Sequence, residues 1–284
     1  MSMIERNLSC LGPQGFHGVV YTLWGADSAG KPALVCVHGM TRNGRDFDRL
    51  AATMQDRYRV ACPDIVGRGK SEWLADPSGY GYRQYLPDMA ALIARLDAPR
   101  VDWVGTSMGG LIGMMLAAQP NTPVRRLVMN DIGPFIPRRF LARLRQYVGA
   151  DPHFPDIGSL EAYLREIHAP FGALSDEQWR HLATHSARPL EGGDFGLAYD
   201  PGIAKAAFTD EEPEDVEMWD IWDRVSCPVL VIRGAESDLL LPETVERMKS
   251  RGPGCEVVEI AGCGHAPALM ADDQIALVRD WLAA

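Results

Sequence analysis

The stretch Val101-Asp102-Trp103-Val104-Gly105-Thr106-Ser107-Met108-Gly109-Gly110-Leu111-Ile112-Gly113 restricts this chain more than any other. A short apolar run meets an apolar helical segment across a turn crowded with glycine. The centre reads G-x-S-x-G, with Ser107 in the middle. A serine on so sharp a strand-to-helix turn is held in strained backbone, and its hydroxyl stands exposed at the top of a sheet. Gly105 and Gly109 have no side chains, so strand and helix can approach closely. The helix that follows aims its positive end at the turn, which favours negative charge developing there. Ser107 is therefore read as a nucleophile.

The rest of the chain supplies a sheet for that turn. Residues 4–11 and 16–25 read as two opening strands of an antiparallel edge. Ala33–Val37 is apolar throughout, as a strand buried on both faces requires. Further strands are expected at 58–62, 101–105, 126–131, 229–234 and 255–260. Helices are expected near 46–55, 82–96, 108–118, 242–250 and 272–282. This alternation predicts an α/β fold: a mostly parallel eight-stranded sheet with helices on both faces. Right-handed crossovers place the strands' carboxyl ends on one side, where open α/β sheets carry their active sites.

The rhythm breaks after Pro134. Residues 134–222 hold amphipathic pieces at 138–147, 160–168 and 176–185 and many aromatics. They read as a helical cap or lid inserted between two parts of the core, 1–133 and 223–284. The acidic run Asp210–Glu217 reads as a solvated face or hinge.

A serine hydroxyl needs a base to take its proton and a carboxylate to steady that base. Two residues after later strands offer these. Asp238 follows the strand at 229–234, and His265 follows the last one, in Gly262-Cys263-Gly264-His265, where glycines on both sides of Cys263 let the loop bend toward Ser107. Glu236 is an alternative acid two residues from Asp238. The backbone N–H of Met108, directly after the nucleophile, is the expected donor to an oxyanion.

The order serine, acid, histidine, with the elbow at Ser107, resembles the α/β-hydrolase superfamily over nearly the whole chain. His38-Gly39, Asp64 to Ser71 and Gly105 to Gly110, each after its strand, carry the likeness. Within the superfamily the chain looks most like capped esterases, lactonases and carbon–carbon bond hydrolases. The resemblance implies Met40 as the second oxyanion donor and His38 as a brace for that loop. It also leaves Asp131 open as the acid, since some members keep theirs after that strand; otherwise Asp131 orients the Gly133-Pro134 turn. The chain departs from the lipase-type HGGG motif by having His38-Gly39-Met40, and it lacks the aspartate nucleophile of dehalogenases and epoxide hydrolases.

Charge and composition narrow the partners. The formal net charge is −10, without a basic stripe, which argues against nucleic acid and against an anionic membrane surface. No apolar run follows a basic start at Met1–Asn7, and no stretch reaches the length of a membrane span. A cytoplasmic protein acting on a small-molecule ester is expected. Six cysteines without a C-x-x-C pair read as small buried hydrophobes, and Cys263, near His265, as a redox-sensitive alternative.

Two motifs mislead. Gly67-Arg68-Gly69-Lys70-Ser71 ends like a phosphate loop, but Asp64 stands where the first glycine belongs. His181 and His185 have zinc-ligand spacing, but Leu182 stands where a metalloprotease glutamate belongs. Neither cofactor nor metal is expected. Methionines 40 and 108 and the cap's aromatics are expected to form an apolar pocket. Arg138, Arg139, Arg143 and Arg145 read as a solvated face or as a steering patch for a carboxylate.

Overall fold

The computed structural model describes residues 3–26 and 30–284. Met1 and Ser2, at the head of the stretch read for a leader, lie outside them. A hairpin opens the chain: β1 (Ile4–Gly12) and β2 (Gly15–Trp24) run antiparallel. Then come β3 (Ala33–Val37), a 3-10 turn at Gly44–Phe47, α1 (Asp48–Met54) and β4 (Arg59–Pro63). They are followed by α2 (Tyr82–Arg95), β5 (Val101–Thr106), α3 (Met108–Ala117) and β6 (Val124–Asn130).

The chain then leaves the sheet. Its excursion contains β7 (Phe135–Ile136), α4 (Arg138–Arg145), α5 (Ile157–Ile167) and α6 (Asp176–Ser186). It continues through β8 (Ala187–Pro189), β9 (Phe195–Leu197), α7 (Ile203–Ala207), β10 (Val216–Glu217) and α8 (Trp219–Trp222). The sheet resumes with β11 (Val229–Gly234), α9 (Pro242–Lys249), β12 (Glu256–Ile260) and α10 (Asp272–Ala283).

The large sheet has eight strands in the order β1-β2-β4-β3-β5-β6-β11-β12. The opening hairpin supplies its antiparallel edge, and the six strands from β4 to β12 run parallel. Every residue of β3 and β11 is buried, as helices on both faces demand. On one face Met89 and Leu92 of α2, Ile112 of α3 and Met248 of α9 pack together. On the other, Leu50 and Met54 of α1 meet Val278 and Trp281 of α10.

The excursion is less purely helical than its amphipathic pattern implies. β7 pairs with β10, closing a two-stranded neck between its two ends. β8 pairs with β9 across a turn containing Gly192 and Gly193, whose φ values of 99° and 98° suit glycine. Strands of two or three residues are too short to show a period of two, which is why the pattern concealed them.

Among the described residues no helix is long and apolar enough to cross a membrane. The six cysteines are unpaired, and five of them are buried.

Candidate active site

The site begins where β5 stops. Ser107 stands between β5 and α3 with φ 52° and ψ −116°, a backbone state that non-glycine residues enter at a cost. Its N–H donates to the Asn130 carbonyl (3.0 Å), which ties the turn to the end of β6. A Cβ on Gly105 would fall 2.2 Å from the Gly109 carbonyl oxygen, and one on Gly109 would fall 2.0 Å from that of Val37. Glycine at both positions is what lets strand and helix close around the serine.

His265 lies in the loop between β12 and α10. Its Nε2 is 3.0 Å from Ser107 Oγ, and its Nδ1 is 2.9 Å from Asp131 Oδ2. An ionised carboxylate only accepts, so the ring proton belongs on Nδ1, leaving Nε2 to accept the serine hydroxyl. Phe140, on α4, packs edge-on against the imidazole with centroids 4.9 Å apart.

The acid beside His265 is Asp131, not Asp238. Asp131 directly follows β6 in a left-handed conformation (φ 53°) and is fully buried. Its Oδ1 accepts the Gly234 N–H (2.7 Å), and its Oδ2 accepts the Ser237 hydroxyl (2.5 Å) while facing His265. Its carboxylate thus holds the histidine and the start of the loop after β11, rather than the Gly133-Pro134 turn. Asp238 points the other way. Its side chain is 45% exposed and accepts from Arg143 Nη2 at 3.0 Å. Glu236 is exposed. The reason is local: Ser237 turns inward, its Oγ also accepting the Leu239 and Leu240 N–H groups (3.2 and 3.0 Å). That turn sends its two acidic neighbours outward.

The two residues expected to donate to an oxyanion flank Ser107. Met108 heads α3, where a backbone N–H has no acceptor within its own helix. Met40 follows Gly39, whose Cβ position lies 3.7 Å from Ser107 Cβ. His38 braces this loop: Nδ1–H donates to the Gly39 carbonyl (2.7 Å), and Nε2 accepts the Ile65 N–H (3.0 Å). Burial pushes the His38 pKa down to about 4, so the ring is neutral and one nitrogen can accept. Asp64 serves loop backbone, its carboxylate accepting the Gly44 and Lys70 N–H groups (2.7 and 2.8 Å).

Ser107 and His265 open into a cavity of about 370 Å³ between the sheet's carboxyl edge and the insertion. Met40 and Met108 line it from the core, and Phe140, Leu144, Tyr147 and Phe171 from the insertion. Among the described residues no Asp or Glu lines it, whereas Arg42, Arg68 and Arg143 do. Of the four arginines on α4, Arg143 alone reaches the cavity; Arg138, Arg139 and Arg145 are exposed. His168, which no sequence motif signals, is buried on the cavity wall and stacked on Phe171 at 4.5 Å. Burial drives its pKa well below the usual histidine range, with Arg42 and His265 adding to the effect.

Two side-chain groups away from Ser107 bring histidines to carboxylates. His181 Nε2 lies 3.5 Å from Asp48, but Asp48 already holds Arg45 through both oxygens. His17 Nε2 lies 3.0 Å from Asp88, near Cys10. Burial, with Asp88 beside it, pushes the Cys10 thiol up to about 12. Cys263 is buried too, its thiol directed at the Phe171 carbonyl (3.5 Å) and its pKa raised by that burial.

Comparison with known proteins agrees with this architecture. A model of the alpha/beta hydrolase family matches residues 34–278. A 3-hydroxybutyrate-oligomer hydrolase from Cupriavidus necator is 46% identical over 278 residues, covering 95% of this chain and 94% of its own. A 2-(acetamidomethylene)succinate hydrolase from Mesorhizobium japonicum is 29% identical, covering 82% of this chain and 81% of its own. The crystal structure of a protein from Rickettsia typhi superposes with a TM-score of 0.91 at 34% identity, over 100% of this chain and 99% of that one.

Proposed function

From the chain's membership of the alpha/beta hydrolase family, we propose that it hydrolyses carboxylic esters, oligoesters of short hydroxy acids foremost, through an acyl-enzyme on Ser107. The observation that carries this reading is the hydrogen-bonded line Ser107–His265–Asp131 opening onto an apolar cavity. The 3-hydroxybutyrate-oligomer hydrolase similarity supports the substrate class. Among the described residues the cavity wall carries three arginines and no carboxylate, which is compatible with the free acid end that such oligomers carry.

The chemistry runs in two halves. Ser107 Oγ attacks the ester carbonyl while His265 Nε2 takes its proton. The carbonyl π electrons move onto oxygen, which receives the N–H groups of Met108 and Met40. Asp131 steadies the imidazolium that results. The tetrahedral adduct collapses, His265 returns the proton to the departing alcohol, and the acyl group stays on Ser107. Water then attacks with His265 again as base, releasing the acid and restoring the serine. Residues 134–222 act as a cap that shapes the pocket, with Asp238 and Arg143 as an ion pair at its margin. The acidic balance and unpaired cysteines support a cytoplasmic setting.

Replacing Ser107 with Ala tests the reading against a panel of 3-hydroxybutyrate oligomers, p-nitrophenyl esters, lactones and a coloured dienoate. Wild type is expected to turn over the oligomers best, and S107A to lose at least about 10⁴-fold in kcat with an unchanged Tm. Turnover of the dienoate alone would instead establish carbon–carbon bond hydrolysis with the same residues. Ester turnover retained in S107A would remove the nucleophile assignment.

A further inference from the structure

We propose that Arg68 is a positioning residue that locks the two oxyanion donors in place and keeps a fixed, unneutralised positive charge behind them. The proposal rests on the reading of Met40 and Met108 as those donors.

The motif around Arg68 resembles the end of a phosphate loop, and nothing in the mechanism above uses its arginine. The structure shows where the side chain goes. Gly67 and Gly69 have φ values of 82° and 55°, and a Cβ on Gly69 would fall 2.2 Å from Asp64 Oδ2. Asp64 and its glycine neighbours thus fold the loop tightly, and the arginine between them turns inward, 1% exposed.

There the guanidinium touches both donor residues, Met40 at its main chain and Met108 at its side chain. Nε–H donates to the Met40 carbonyl at 2.8 Å, and Nη2 contacts Met108 Sδ at 3.8 Å. Nη1 donates to the Val66 carbonyl (2.9 Å) and to Tyr85 Oη (2.8 Å). The Tyr85 and Tyr80 rings lie 5.0 and 5.7 Å from its central carbon. Only a planar fork with donors on three nitrogens makes these contacts together; an ammonium does not.

Its charge is handled unlike that of its buried peers. Arg42 and Arg233, also buried, pair with Asp46 and Glu259. Among the described residues no carboxylate forms an ion pair with Arg68; carbonyls, a phenol and aromatic faces are its surroundings. A buried cation without a counter-ion is costly. One placed against the donors gains when negative charge develops on the substrate oxygen, because the site is polarised for it beforehand. A carboxylate partner would cancel that effect.

The test compares Arg68→Met, Arg68→Lys and Tyr85→Phe with wild type, using an ester substrate and two ligands. One ligand is an alkylboronic acid, which forms an anionic tetrahedral adduct on Ser107. The other is the neutral amide of the same acyl group. R68M is expected to lose about 100-fold in kcat with KM changed less than about threefold. Boronate binding should weaken by a comparable factor and amide binding should not change. R68K should restore only a small part of the loss, and Y85F, which leaves the arginine in place, should lower kcat a few-fold in the same pattern. Unchanged kcat in R68M overturns the proposal. So does a parallel loss of boronate and amide binding with a lowered Tm, the mark of a merely structural residue. If R68M does not fold, the boronate-to-amide ratio in R68K and Y85F decides. A wild type that neither hydrolyses esters nor binds the boronate would fail at the level of the hydrolase reading itself.

Discussion

Two carboxylates sit at the carboxyl ends of adjacent strands, Asp131 after β6 and Asp238 after β11, and their surroundings differ in almost every respect. Asp131 is sealed from solvent and held by a backbone N–H, a serine hydroxyl and His265. Asp238 is 45% exposed and meets a single arginine that is itself 36% exposed. The first environment fixes the position of an oxygen to the precision that orienting an imidazole requires. The second leaves a solvated ion pair, whose worth is about 1 kcal/mol or less. Being next to the right strand end is therefore insufficient for an acid. It must also point inward, with its lone pairs taken up by groups that cannot move.

Exchanging the acids' amides probes this contrast most severely. Asp131→Asn keeps the shape but places an amide where His265 Nδ1–H needs an acceptor, favouring the wrong tautomer. A fall in kcat of about 10³- to 10⁴-fold is expected, measured on an ester that wild type hydrolyses readily. A loss below tenfold would mean that Asp131 is not the acid.

Ser237→Ala is a milder probe of the same side. It removes one hydrogen bond to Asp131 and the acceptor for two backbone N–H groups. We expect kcat to fall by about tenfold and stability by about 1–2 kcal/mol, read by steady-state kinetics and denaturant unfolding. An unchanged kcat would show that Asp131 holds His265 without Ser237.

The smallest effect belongs to Asp238→Asn. Here kcat should stay within about twofold, and a double-mutant cycle with Arg143→Met should give a coupling of about 1 kcal/mol or less. A loss as large as that of D131N would reverse the assignment.

The fold was legible because its signals are local. Uninterrupted apolar runs at Ala33–Val37 and Val229–Gly234 announce buried strands, and the glycines around Ser107 announce the turn. His265 was legible as a histidine after the last strand, just beyond a cysteine with a glycine on either side. The choice of acid was not, because it depends on a left-handed φ at Asp131 and on which of three consecutive residues in Glu236-Ser237-Asp238 turns inward. No periodicity reports such a turn. Arg68 was concealed for a related reason. Its sequence context only ends like a phosphate loop, with Asp64 against that reading, whereas the role proposed for it rests on contacts with Met40 and Met108, 28 and 40 residues away. The cavity wall is the least legible part, since its residues come from the short helices and ribbons of the insertion.

The neck formed by β7 and β10 has a consequence for how such a molecule can change. The chain leaves the core at Phe135–Ile136 and comes back beside itself at Val216–Glu217. What lies between is a module with neighbouring ends. None of its residues pairs with a strand of the eight-stranded sheet. A change in its length would thus fall on one side of the neck, and the Ser107–His265–Asp131 line on the other. For the engineer, those four residues mark the place to cut and graft.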